Sequence, residues 1–369
     1  MRASGVSMSD ASAKGISMTS PPSFSVLAAG DRFIRPVIFR EEIVARLGSR
    51  VAVTELELPW PDEPFGAVAE VNEASGGEDQ LIEALRGHRG LVTQLAPITE
   101  RVLAAAPDLE FIGVGRGGPT NINIDAAAAR GIRVVNVPGR NGVATAEMTL
   151  GLLLAALRRL PILHGSLLRH EWRGEFYRYE QVGREVAGST VALLGAGAVG
   201  QHLARILVAM GADVVVYDPY LPAGALPQAR RCDDLDELFA SCDVLSLHAR
   251  LNRETEHVVN ARRLALMRAG AVVVNAARGG LMDYDAVADA LEAGRLGGVA
   301  LDVFPTEPVD MALPLLKLAQ EDANVVLAPH VAGASRETAR RAAAGAAEEL
   351  RRHLDGEPAL HGVRSGVMA

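Results

Sequence analysis

Residues 191–218 read V-A-L-L-G-A-G-A-V-G-Q-H-L-A-R-I-L-V-A-M-G-A-D-V-V-V-Y-D. Val191–Leu194 is a short apolar run of strand character. Gly195, Gly197 and Gly200 follow it with the spacing of a dinucleotide fingerprint and open a helical pattern. The first glycine permits a tight turn, the second lets backbone approach a pyrophosphate, and the third allows close helix–strand packing. The positive end of the helix then faces the phosphates. Asp218 ends the next strand, 18 residues beyond Gly200. A carboxylate there can accept from both ribose hydroxyls and repels a 2′-phosphate, and neither Pro219 nor Tyr220 supplies a cation. The pattern predicts NAD rather than NADP; the other reading is a doubly wound domain that has lost its ligand.

Outward from this stretch the alternation continues. Val214–Tyr217, Val244–Leu247, Ala271–Val274, Gly298–Leu301 and Val325–Leu327 join Val191–Leu194 to make six strand patterns. That is the count of a doubly wound dinucleotide fold. Upstream, Val37–Phe39 reads as a strand and Glu41–Leu47 as a helix. Val51–Leu56, Gly90–Gln94 and Leu109–Val114 read as strands, Asp79–Leu85 and Thr99–Ala105 as helices. Strands separated by helices imply parallel sheets covered on both faces. Ala144–Leu157 is apolar on nearly every side, as a helix buried at a domain or subunit junction would be. Gly165–Ala187 carries Trp172, Phe176, Tyr177 and Tyr179, read chiefly as packing. Arg336–Leu354 has charges on one face and alanines on the other. The first thirty residues lack the apolar core of a signal peptide and read as a disordered tail.

Composition narrows the classes further. A chain of 369 residues suits two domains. With 37 basic residues against 45 acidic ones, the charge of −8 argues against a nucleic-acid partner. No apolar run approaches the roughly 18 residues of a membrane helix, so no membrane partner is expected. Cys232 and Cys242 form neither a zinc set nor a disulfide framework, which predicts a cytoplasmic protein without a metal.

Three further segments place a charged group just past a strand pattern: N-A-A-R-G-G (275–280), L-D-V-F-P-T-E-P (301–308) and A-P-H-V-A-G-A-S (328–335). Open parallel sheets bind ligands at that edge. Singly, each has an ordinary structural explanation: a surface turn, a solvated loop, a structural histidine. Taken in this order, they stand beside V-G-R-G-G-P-T-N-I-N-I-D (114–125), N-V-P-G-R-N-G-V-A-T-A-E (136–147) and L-H-A-R-L-N-R-E-T (247–255). Together with the fingerprint they resemble the D-isomer-specific 2-hydroxyacid dehydrogenase family from Ile34 to Leu354. Within it, the phosphoglycerate dehydrogenase-like members are the most similar.

The resemblance implies an α/β, two-domain fold, with a Rossmann-type nucleotide-binding domain (146–329) inserted in a flavodoxin-like substrate domain. The substrate domain comprises 31–145 and a C-terminal segment, 330–369, that returns to it. It implies an NAD-dependent oxidoreductase acting on a D-2-hydroxy acid or its 2-keto acid. Arg278 would hold the substrate carboxylate, His330 would exchange a proton with the substrate oxygen, and Glu307 would orient His330. NAD would be held by Gly195, Gly197, Gly200, the N–H groups of Ala198 and Val199, Asp218, His248, Ala249, Ala276 and Ala277. Asp302 would meet the nicotinamide carboxamide. Val114, Gly115, Arg116 and Gly117 would form the substrate loop, with Arg116 either reading a distal acid group or lying free at the surface. A homodimer through Ala144–Leu157 is also implied. The alternative function on the same fold is an NAD(H)-sensing, corepressor-like binding module without turnover.

Overall fold

The computed structural model describes residues 24–60 and 66–364. Twelve strands are present among them: β1 (Phe24–Gly30), β2 (Val51–Glu57), β3 (Gly90–Thr93), β4 (Phe111–Val114), β5 (Arg133–Asn136), β6 (Thr190–Leu194), β7 (Asp213–Tyr217), β8 (Arg230–Arg231), β9 (Val244–Leu247), β10 (Ala271–Asn275), β11 (Leu296–Leu301) and β12 (Val325–Leu327). They form two all-parallel sheets, ordered β2-β1-β3-β4-β5 and β12-β11-β10-β9-β6-β7-β8. The first is the flavodoxin-like order, and the second is the doubly wound dinucleotide order with one strand added beyond the six. Strand order reverses between β6 and β9, so a crevice opens where those two strands end.

Helices cover both sheets and join them. Gly142–Leu157 buries Ala146, Leu152, Leu153 and Ala156 against Val191, Leu193, Val272 and Ala300 of the second sheet. The last helix, Arg336–Leu354, starts on Ser335, whose hydroxyl caps Thr338 N, and carries Ala339, Ala342, Ala343, Ala346 and Ala347 into the core around Phe24, Phe39 and Phe111. The chain thus returns to its first sheet after building the second. Beyond that helix, Val363 N donates to Val134 O, and buried Glu349 accepts from the backbone of Leu360 and His361.

Two expectations need correction. The proposed tail does not extend to residue 30, because Phe24–Gly30 is a central strand between β2 and β3, buried along nearly its whole length. Residues 1–23 lie outside the described residues. A strand covered on both faces shows no alternation, and the small residues of F-S-V-L-A-A-G hid it. Val37–Phe39 is not a strand but part of the helix Pro36–Leu47. Pro36 occupies the first helical turn, where its fixed φ and missing N–H cost nothing, and Pro36, Phe39, Ile43 and Leu47 make a buried helical stripe.

Candidate active site

The turn after β6 is shaped by close backbone approach. Gly195 has φ +94°, and a Cβ there would lie 2.7 Å from Ala249 N and 2.7 Å from the carbonyl carbon of His248. A Cβ on Gly200 would lie 2.4 Å from Gly195 O. At Gly197, which precedes the helix Ala198–Ala209, a Cβ would meet nothing within 4 Å, so that side of the turn is open. Asp218 sits beyond β7 and braces this turn, accepting from Ala196 N at 2.8 Å and Tyr220 N at 2.9 Å. Across the crevice, His248 follows β9 with Nε2 2.9 Å from Ser246 Oγ. Burial pushes its imidazole down to about 4, so it adds no charge to the crevice at neutral pH. Ala276 is buried and Ala277 half-buried at the end of β10. Gly195, Gly200, Asp218, His248 and Ala249 therefore stand together where β6, β7 and β9 end, with Ala276 and Ala277 at the end of neighbouring β10.

Arg278, Glu307 and His330 come from the ends of β10, β11 and β12. Fully buried Asn275 pins the turn before Arg278: its Oδ1 accepts from Ala277 N, and its Nδ2 donates to Arg278 O at 2.9 Å. Gly279 lets this turn rest on the neighbouring loop, since a Cβ there would lie 1.8 Å from Phe304 O. Phe304 also donates its N–H to Glu307 Oε1 at 3.1 Å, leaving Oε2 to meet His330 Nδ1 at 2.5 Å. One backbone position thus ties the arginine turn to the Glu–His pair. His330 has φ +54°, a costly conformation for a side-chain-bearing residue and one that clusters at functional sites.

Asp302 holds that conformation in place. It is 1% exposed, and its oxygens accept from Val331 N and Ala332 N, each at 2.8 Å. Burial raises its carboxyl pKa, and the two N–H groups work against that rise. Its observed bonds therefore serve the His330 loop, and a carboxamide contact would use the remaining lone pairs. Tyr284, which the sequence did not flag, donates from its hydroxyl to Val303 O at 2.7 Å and buttresses the loop after β11 that carries Phe304 and Glu307.

The substrate loop leaves the first sheet at the end of β4. Val114 and Gly115 are buried, and Gly117 is exposed with its carbonyl accepting from Asn136 Nδ2 at 2.7 Å. Arg116 is not a free surface arginine: its side chain is 16% exposed and donates to the carboxylate and the carbonyl of Glu73. Two further residues escaped the sequence reading. Arg140 Nε donates to Gly115 O. Asp31, fully buried, accepts from Phe33 N and Ile34 N through Oδ1. Arg140 lies within the quoted N-V-P-G-R-N stretch, whereas Asp31 directly follows the overlooked β1.

Residues 139–142 join these parts. A Cβ on Gly142 would lie 3.3 Å from Ala198 Cβ, and one on Gly333, in the His330 loop, would lie 2.7 Å from Asn141 Nδ2. Arg341 locks the segment by donating to Arg140 O at 2.8 Å. The fingerprint, the histidine loop and the substrate loop therefore share one connector. Among the described residues, no group of three His, Cys, Asp or Glu could hold a metal ion, and no helix is long and apolar enough to cross a membrane.

Comparison with known proteins places this site. The family model for the D-isomer specific 2-hydroxyacid dehydrogenase NAD binding domain matches residues 150–332. The chain is 38% identical over 328 residues to the D-3-phosphoglycerate dehydrogenase of Mycobacterium bovis, which covers 88% of this chain and 57% of that protein. It is 37% identical over 295 residues to the D-3-phosphoglycerate dehydrogenase of Methanocaldococcus jannaschii, covering 79% of this chain and 54% of that one. The solved structure of a D-2-hydroxyisocaproate dehydrogenase superposes with a TM-score of 0.75 at 26% identity, covering 92% of this chain and 99% of that one. The chain belongs to the D-isomer-specific 2-hydroxyacid dehydrogenase family. It spans little more than half the length of the curated relatives it matches. Its cofactor is NAD, and the turn fits it: the Gly195 cradle admits no Cβ, Gly197 leaves the helix start open, and Asp218 braces the same turn.

Proposed function

We propose that the chain catalyses reversible hydride transfer between NAD(H) and a D-2-hydroxy acid or its 2-keto acid. The single observation carrying this reading is the 2.5 Å contact of His330 Nδ1 with Glu307 Oε2, tied through Phe304 to the Arg278 turn. The NAD-binding residues are Gly195, Gly197, Ala198, Val199, Gly200, Asp218, His248, Ala249, Ala276, Ala277 and Asp302. When bound, the cofactor supplies or takes the hydride at the substrate carbon bearing the oxygen. Arg278 pairs its planar fork with the substrate carboxylate and polarises the neighbouring carbonyl. His330, with Nδ1 engaged by Glu307, presents Nε2 to the substrate oxygen, giving a proton during reduction and taking it during oxidation. Glu307 fixes the ring plane and keeps Nδ1 engaged, so that Nε2 is the nitrogen turned to the substrate. Val114, Gly115, Arg116 and Gly117 enclose the remainder of the acid.

Purified chain is expected to oxidise NADH with at least one member of a panel of hydroxypyruvate, glyoxylate and 3-phosphohydroxypyruvate. NADH binding without turnover on any 2-keto acid, accompanied by cofactor-dependent dimerisation, would favour the corepressor-like alternative instead. Asp218→Ala removes a carboxylate that accepts from ribose and opposes a 2′-phosphate. It should narrow the NADH-over-NADPH ratio of kcat/KM by about tenfold, equivalent to about 1.4 kcal/mol. An unchanged ratio would mean that another group reads the ribose.

The homodimer, expected through the Ala144–Leu157 helix, is proposed instead on the exposed apolar residues that follow it, because the apolar side chains of that helix are buried against the second sheet of the same chain. Leu160, Leu168, Trp172, Tyr177 and Tyr179 are 50%, 68%, 87%, 89% and 88% exposed, and they directly follow the Gly142–Leu157 helix. The expectation that these aromatics pack within the chain is thus not met. So many exposed large apolar side chains within residues 160–179 suit an interaction surface, and light scattering at twice the chain mass is the expected result. The unpaired, buried thiols of Cys232 and Cys242 suit a reducing, cytoplasmic setting.

A further inference from the structure

Three carbonyls of the substrate loop are held by the segment that leaves β5. Gly115 O accepts from Arg140 Nε, Arg116 O from Val137 N at 2.8 Å, and Gly117 O from Asn136 Nδ2 at 2.7 Å. A trans peptide is planar, so its N–H points opposite to its carbonyl. Fixing these oxygens therefore fixes the N–H groups of Arg116, Gly117 and Gly118. Among the described residues nothing accepts from those three N–H groups, whereas Gly115 N is taken by Thr93 O at 2.8 Å. In the dehydrogenase reading, they are the backbone donors that the bound acid meets.

Arg140 differs from the other two holders. Asn136 and Val137 are placed by the pairing of β5 with β4. Arg140 stands beyond them in the connector 139–142 and reaches Gly115 with a long side chain. Its own backbone is fixed, because its carbonyl accepts from Arg341 Nε at 2.8 Å. The side chain is half-buried; burial lowers its pKa, and the charge of fully buried Asp31 works against that fall. A hydrogen bond from a charged donor is the stronger kind. Here it acts on a peptide plane that is otherwise loosely held, since Gly115 has no side chain to restrict its rotation.

We infer that Arg140 is a positioning residue: by fixing the peptide between Gly115 and Arg116, it aims the Arg116 backbone N–H at the bound acid. This rests on the dehydrogenase reading and deepens it. Arg140 touches neither the reacting carbon nor its oxygen; it acts through the loop. Asp31 supplies the counter-charge that keeps the guanidinium in place. Because Arg140 belongs to the connector that also lies against Ala198 and the His330 loop, the aim of the loop is set from the same segment that places the cofactor and the histidine. Without the bond, the glycine-hinged peptide rotates, and its N–H meets the acid only part of the time.

The test compares Arg140→Met, which keeps length but removes every donor, with Arg140→Lys, which keeps a charged donor. Asp31→Asn combined with Arg140→Met removes both charges together, and serves if the single Met variant leaves Asp31 too poorly balanced to fold. Hydroxypyruvate is the probe, by calorimetric titration of the NAD⁺-loaded protein and by steady-state reduction with NADH. Arg140→Met, or the charge-balanced double variant, should raise Kd and KM for hydroxypyruvate about tenfold. The same variant should keep kcat within about fivefold and NADH affinity within about twofold of wild type. Arg140→Lys should recover most of the lost hydroxypyruvate affinity. An unchanged hydroxypyruvate Kd in a folded variant lacking Arg140 would overturn the inference. So would an equal loss of NADH affinity, which would mean that Arg140 only holds the connector together. Hydroxypyruvate binding that depends on Arg140 in a protein that turns over no 2-keto acid would contradict the dehydrogenase reading alone. Turnover indifferent to Arg140 would contradict this inference alone.

Discussion

His330→Ala is expected to lower kcat for 2-keto acid reduction by about 10²–10⁴-fold, the usual worth of positioned acid–base catalysis. NADH affinity should stay within about twofold of wild type, since His330 belongs to the loop after β12 and the fingerprint turn follows β6. The side chain is 48% exposed and buries little apolar area, so its truncation should not unfold the protein. The strained φ of +54° is also relieved by nothing that alanine provides, because Asp302 fixes Val331 and Ala332 through backbone bonds that the substitution leaves intact. Stopped-flow turnover together with NADH fluorescence titration separates the two quantities. A rate close to wild type would remove His330 from the proton path.

Arg278→Gln is expected to reduce kcat/KM for every 2-keto acid by about 10²–10³-fold. Truncating one partner of a charge-assisted pair costs about 2–5 kcal/mol, and about 1.4 kcal/mol corresponds to tenfold. Arg278 is exposed and donates from Nη1 to Ala277 O at 2.7 Å, with no ion pair to a carboxylate among the described residues. The turn itself is held by Asn275 and by the Gly279 contact with Phe304, and neither depends on the guanidinium. Arg278→Lys retains the charge but loses the planar fork, and should recover only part of the loss. Equal rates for Arg278→Gln and wild type across the keto acids would assign the carboxylate to another group.

What could be read from the sequence follows the range of the forces involved. The glycine fingerprint and Asp218 were legible because a strand, a turn and a helix in immediate succession impose fixed spacing. Arg278, Glu307 and His330 were legible only as an ordered set, since each has a commonplace explanation by itself. β1 escaped notice because a strand buried on both faces needs no polar alternation, and its alanines and glycine resemble tail composition. The helix at Pro36 had a readable start signal in the proline, which the β-branched Val37 and Ile38 masked. The meeting of Asp31, Glu73, Arg116 and Arg140 was not legible at all. Those residues lie on four separate segments, and only the packing of the first sheet brings them together.

The claim at the centre is that Glu307 acts through His330, as one proton-transferring unit. A double-mutant cycle on kcat, using His330→Ala, Glu307→Gln and the pair combined, measures this directly. The combined variant should be no slower than His330→Ala alone, because the carboxylate has nothing to act on once the imidazole is gone. Losses that multiply across the two sites would show the residues working independently and would contradict the account.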